Sequence, residues 1–248
     1  MKDFIIIANG NFLVKEIIQE AIANKVIIAL DGAAQKLRRL GITPLIIAGD
    51  FDSLDLTEKK IWGIHETHEG KTSPYHGSHQ TLIVPLMDQN ATDLVKTIRY
   101  CDNQGAKSIT IICASGGQLD HHEGVMRSLR TQYRSDRPIL LHTESQTLRY
   151  AKDEPVILNG EVGDRCGIIA FPKGAFSSSG LKYDVTDWAL EFGFSDSTCN
   201  ALAKPEASLT ITGEALIVMP PQLRSQREFM NKTEVEKLEM LLRDAKAC

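Results

Sequence analysis

The chain has 248 residues, enough for one large domain or two small ones, and its composition, 42% hydrophobic and 24% charged, is that of a globular protein. A formal charge of −4 without any basic run excludes broad electrostatic binding to nucleic acid or to an anionic membrane, and no apolar stretch has the length of a bilayer span. Five cysteines, Cys101, Cys113, Cys166, Cys199 and Cys248, are odd in number and form no C-x-x-C pair, so they read as free thiols of a reducing, cytoplasmic setting.

Up to about residue 145 the chain alternates strand and helix signals. Residues 4–8 are an apolar run after a single lysine and read as a first strand, not a signal peptide. Residues 12–23 have helical spacing, with Leu13, Ile17, Ile18 and Ala21 on one face. Further apolar runs at 26–30, 45–48, 81–86, 108–113 and 138–141 predict strands. Between them, 33–40, 91–101 and 120–133 predict helices, the first stopped by Gly41 and Pro44, and Asp55 precedes a helix starting near Thr57. Continuous apolar strands separated by helices predict an α/β domain with a mostly parallel sheet covered on both faces. Residues 63–80 predict a polar loop holding His65, His68, His76 and His79; the two H-x-x-H pairs share no regular element, so a solvated loop is preferred to a metal site.

After residue 145 the rhythm changes to short Val-, Ile-, Leu- and Thr-rich segments broken by Gly, Pro, Ser and Asp, which predicts an all-β sandwich. Pro220-Pro221 closes it. The expected organisation is therefore an α/β domain over 1–145, a β-sandwich over 146–221 and a charged helical extension over 222–248, with Val235, Leu238, Leu241 and Leu242 at helical spacing and available to a partner subunit.

Acids gather where the predicted strands end. Asp31 follows the second strand, Asp50 and Asp52 follow the third as G-D-F-D, Asp120 follows Gly116-Gly117 after the fifth, and Asp93 opens a helix. In an open parallel sheet those strand ends share one edge, where ligands bind. A lone acid such as Asp31 or Asp93 is usually a turn former or helix cap. Two acids at i and i+2 exceed what capping needs. In an extended turn they point the same way, and with a flanking glycine they suit Mg2+, which takes hard oxygen ligands. Gly116-Gly117 opens the backbone to a phosphate. The P-loop, dinucleotide and G-x-S-x-G motifs are all absent.

The segment ALDGAAQKLRRLGITPLIIAGDFDSL (29–54) resembles the D-G-x-A … G-D-F-D-S signature of thiamine pyrophosphokinases. DQNATDLVKTI resembles that family's T-D helix start, GGQLDHHEGVMRSL its G-G-R-x-D-H segment, and GLKYDVTDWALEFGFSDSTCNAL its β-domain stretch. The resemblance runs in order from about residue 5 to 218. It implies a homodimer that transfers the diphosphoryl group of ATP to thiamine with Mg2+, releasing AMP. It places Asp31, Asp50, Asp52, Asp93 and Asp120 in the catalytic centre, with Asp50, Asp52 and Asp120 as cation ligands and Asp93 as a further ligand or as the residue orienting the acceptor hydroxyl. Gly49, Ser53, Gln89, Thr92, Gly117 and His121 are implied nucleotide or substrate contacts, and Thr198, Cys199 and Asn200 meet thiamine across the dimer interface. Gln118 stands where the family often has Arg, and Cys199 where it has Ser. Two other readings remain open from the residues: another acceptor for the same chemistry, such as a hydroxymethylpterin, or a catalytically weak thiamine- or nucleotide-binding protein.

Overall fold

The computed structural model describes residues 2–64 and 73–246, so His65, His68 and Cys248 lie outside the described residues. The chain divides into two compact units, residues 1–138 with 232–248, and residues 139–231.

The first unit opens with β1 (Lys2–Ile7), α1 (Lys15–Ile22), β2 (Val26–Leu30), α2 (Asp31–Arg39), β3 (Ile46–Gly49) and α3 (Leu56–Trp62). It continues through β4 (Tyr75–His76), β5 (Leu82–Pro85), α4 (Asp93–Asn103), β6 (Ala106–Ile112) and α5 (Leu119–Thr131). Its strands lie in the order β6-β1-β2-β3-β5-β4, all parallel except the two-residue β4. The central strands are apolar throughout because both faces are covered; Ile5, Ile6 and Ile7 are fully buried. Helix α1 inserts Ile17, Ile18 and Ala21, the face its periodicity predicts. Helix α2 starts two residues earlier than the apolar spacing predicts, with no loop after β2, so Asp31 is its first residue. The segment expected as one loop over 63–80 contains β4, and His76 and His79 join no metal-ligating group among the described residues.

The second unit is antiparallel: β7 (Ile139–His142), β8 (Thr147–Lys152), β9 (Pro155–Asn159), β10 (Arg165–Ser179), β11 (Trp188–Glu191), β12 (Ser197–Ala201) and β13 (Glu206–Met219). Two long strands, β10 and β13, pair along their length. Each also serves two shorter neighbours, β11 and β12 on β10, β8 and β9 on β13. The β10–β13 register shifts between Ala170 and Gly174. Such a break lets a long ribbon bend and wrap one apolar core, here centred on Leu158, Ile168, Phe176, Leu190, Leu209 and Ile217.

The stretch after Pro221 forms two helices that go to different units. Helix α6 (Arg224–Met230) belongs to the β unit, and α7 (Glu234–Lys246) belongs to the first. Helix α7 is tied to α1 through its polar residues: Asp244 Oδ2 accepts from the Lys15 N–H at 3.0 Å, and Arg243 pairs with Glu16 at 2.9 Å. Its apolar residues Val235, Leu238, Leu241 and Leu242 are exposed.

Candidate active site

The parallel sheet reverses its strand order between β1 and β6, and the loops leaving those two strands are stitched together. Gly10 N–H donates to the Cys113 carbonyl at 2.8 Å and Asn11 N–H to the Ser115 carbonyl at 2.9 Å. A crevice at the carboxyl end of such a switch point is where open α/β sheets bind ligands. Here it is a cleft of about 610 Å3, with Asn9 and Gly10 from the β1 end, Asp31 from α2, Ser53, Thr92 and Asp93 from the acidic turns, and the segment from Gly116 to His121 opposite.

Asp31, Asp50 and Asp93 converge in the first unit, each with a carboxylate oxygen within 4.8 Å of the others. Asp31 is 4% exposed; it accepts from its neighbour Gly32 N–H at 2.6 Å and from Ser53 N–H at 3.3 Å. Gly49 makes this packing possible: its φ is +154°, and a Cβ there would sit 3.2 Å from that of Asp31. Asp93 stands at the first position of α4, whose N-cap Thr92 accepts from Val95 N–H at 3.4 Å. The buried Asp93 Oδ1 meets Lys96 Nζ at 2.6 Å in an ion pair without an aligned hydrogen bond, which leaves lone-pair capacity.

Burial pushes the Asp31 carboxyl above its ordinary value, and the charges of Asp93 and Asp50 add to it, against the hydrogen bonds from Gly32 and Ser53. Asp50 is raised likewise, by burial first and then by Asp93 and Asp52. A cluster of three carboxyl groups, two of them held back from ionising, could hold a cation, and an all-oxygen donor set fits a hard one such as Mg2+.

The other expected residues spread around this trio. Asp52 is exposed, accepts from Ser53 Oγ at 3.2 Å, and stands outside the trio. Across Phe51, buried with φ +65°, the Asp52 carboxyl lies against that of Asp50 and not against Asp31 or Asp93. Asp120 lines the cleft wall, exposed, accepting from His121 N–H at 2.8 Å. Gly117 has φ +74°, and a Cβ added there would meet nothing within 4 Å, so the backbone is open at that turn, whereas Gly116 is packed against Asn11. Gln89 is exposed in the β5–α4 connection, outside the cleft lining. Asn9, Gly10 and Lys96 join the site without a motif to announce them. The strand order brings in the first two, and the i, i+3 spacing from Asp93 is the only sequence sign of the third.

In the β unit, Thr198 and Cys199 line a second pocket of about 370 Å3 together with Arg165, Pro221 and Met230. Arg165 Nη2 lies 3.1 Å from Cys199 Sγ. Asn200 is instead buried and outside that lining, its Oδ1 accepting from Tyr183 N–H at 3.1 Å and its Nδ2 donating to the Tyr183 carbonyl at 3.0 Å.

Comparison with known proteins gives two matching family profiles, "Thiamin pyrophosphokinase, catalytic domain" over residues 18–141 and "Thiamin pyrophosphokinase, vitamin B1 binding domain" over 152–218. Thiamin pyrophosphokinase 1 of Caenorhabditis elegans is 31% identical over 197 residues, covering 73% of this chain and 73% of that protein. Thiamine pyrophosphokinase 2 of Arabidopsis thaliana is 30% identical over 177 residues, covering 66% of this chain and 60% of its own length. Among solved structures, thiamine pyrophosphokinase from Bacillus subtilis superposes with a TM-score of 0.71 at 19% identity, covering 90% of this chain and all of that one, a likeness of fold.

Proposed function

The chain belongs to the thiamine pyrophosphokinase family, and we propose that it is a diphosphoryl transferase with ATP as donor and thiamine as acceptor. The observation that carries the chemistry is the convergence of Asp31, Asp50 and Asp93 beside a cleft built at the strand switch point. In this reading the acceptor hydroxyl oxygen attacks the β-phosphorus of ATP and the bond from that phosphorus to the α,β-bridging oxygen breaks. AMP leaves with that oxygen, and the hydroxyl proton passes to a cleft carboxylate. Asp31, Asp50 and Asp93 would hold Mg2+, with Asp52 beside Asp50 and Asp120 on the cleft wall. When bound, the cation neutralises the triphosphate as charge shifts to the leaving oxygen. Gly117 and Ser53 give the phosphates close backbone approach, and Thr92 and His121 are further contacts.

The acceptor is assigned to the pocket of Thr198 and Cys199, with a homodimer as the assembly that completes the site. A reducing, cytoplasmic setting suits the four free cysteines among the described residues, and no described helix is long and apolar enough to cross a membrane. The test is a nucleotide product assay with ATP, Mg2+ and thiamine that separates AMP from ADP. Thiamine-dependent AMP in step with thiamine diphosphate is expected. A folded protein that binds Mg2+–ATP and yields no such AMP would refute the reading.

A further inference from the structure

The family match over the β unit ends at residue 218, yet the pocket holding Thr198 and Cys199 takes part of its wall from beyond that point, at Pro221 and Met230. Met230 is the last residue of α6. A seven-residue helix does not hold itself in water, so its position must come from anchors, and these are strong. Gln226 is fully buried. Its Oε1 accepts from the N–H groups of Gln222 at 3.1 Å and Leu223 at 2.9 Å, and its Nε2 donates to the carbonyls of Thr143 at 2.6 Å and Gln146 at 3.1 Å. Arg227 grips Asp164 through both terminal nitrogens, at 3.1 and 2.9 Å, and Phe229 is buried. With its neighbours fixed, Met230 remains 41% exposed at the pocket. A partly exposed methionine at a pinned helix end, in the lining of a pocket, offers side-chain surface to whatever fills that pocket.

We propose that Met230 is a specificity-determining residue for the acceptor, and that α6 holds it in the pocket wall. The inference rests on the assignment of this pocket to thiamine. A polarizable thioether suits the face or edge of a flat heteroaromatic ring. Arg165, beside Cys199 in the same pocket, brings positive charge that disfavours the thiazolium cation and favours the neutral aminopyrimidine ring. Met230 therefore packs on the aminopyrimidine.

The experiment compares Met230→Ala, Met230→Leu and, on the outer side of α6, Arg224→Ala, by steady-state kinetics and by calorimetric titration with thiamine alone. Met230→Ala is expected to raise the thiamine KM and Kd roughly tenfold, the lower end of what a lost pocket contact costs, with the ATP KM unchanged. Met230→Leu restores most of the affinity by keeping the volume, and Arg224→Ala changes nothing. Equal thiamine constants for Met230→Ala and the unaltered protein would overturn the proposal. If the unaltered protein binds thiamine without making AMP, the catalytic reading fails while the calorimetric ratio still decides Met230. Absence of thiamine binding overturns both.

Discussion

Lys96 Nζ stands 2.6 Å from Asp93 Oδ1, and the same ammonium donates to the Leu86 carbonyl at the end of β5 at 2.6 Å. The lysine side chain is 7% exposed. It fixes one acid of the trio to the sheet and offsets part of the trio's negative charge. Lys96→Met should therefore destabilise the cation-free protein by about 2 kcal/mol, because Asp93 is left partly buried without its counter-charge. Denaturant unfolding with and without Mg2+ checks this, and the double variant with Asp93→Asn should recover much of the loss. Additive losses in the double variant would show that the pair does not act as a unit.

Asp50→Asn should stabilise the cation-free protein while abolishing turnover. Asp31 and Asp50 are both held above the ordinary carboxylate range. A folded-state value above the unfolded one means the native state keeps its proton longer, so the contribution of Asp31 and Asp50 is most favourable at low pH. That contribution is lost as pH rises from the unfolded value through the raised folded one. The melting-temperature gap between Asp50→Asn and the unaltered protein should thus widen from about pH 4 to pH 7, by about 2–4 °C per kcal/mol relieved, and saturating Mg2+ should close or reverse it. A gap independent of pH would remove the repulsion argument.

The five acids should separate by binding assay. Mn2+ titration followed by electron paramagnetic resonance should show Asp31→Asn, Asp50→Asn and Asp93→Asn losing most cation affinity in the nucleotide-free protein. Asp52→Asn and Asp120→Asn should retain it. Asp52 is exposed, accepts from Ser53 and lies against the Asp50 carboxyl, so Asp52→Asn removes no core contact and should leave the melting temperature within about 1 °C, as surface changes do. It should still cost on the order of 100-fold in turnover. Normal turnover in Asp52→Asn would remove that acid from the reaction.

Gly116 and Gly117 both have positive φ, +75° and +74°, but differ in surroundings. A Cβ on Gly116 would fall 2.2 Å from Asn11 Nδ2, whereas one on Gly117 meets nothing within 4 Å. Gly117→Ala should cost about 1 kcal/mol of conformational strain, and Gly116→Ala more, because Asn11 must also move. A rise in the ATP KM for Gly117→Ala at unchanged thiamine KM would support phosphate approach at that turn.

Much of the molecule was legible from periodicity and composition. The parallel strands announce themselves because burial on both faces demands unbroken apolar runs, as in Phe4 to Ile7, and α1 because one face alone is buried. The gathering of acids at strand ends followed from the topology of any such sheet. What spacing left open was membership of the cluster. Asp50 and Asp52 share a motif and their carboxyls lie together, but only Asp50 also meets Asp31 and Asp93.

By itself the sequence determined most of the elements, the parallel and antiparallel halves, and the strand ends that carry the acids, since these depend on local propensity and hydrophobic pattern. Tertiary structure alone decided which three carboxylates meet and that Lys96 stands against one of them. It also decided that Asp244 supplies the first N–H of α1 with an acceptor from 229 residues away, and that Met230 walls the second pocket. Contacts between distant segments depend on how whole elements pack, and no spacing along the chain encodes the few ångströms that separate a ligand set from a row of acids.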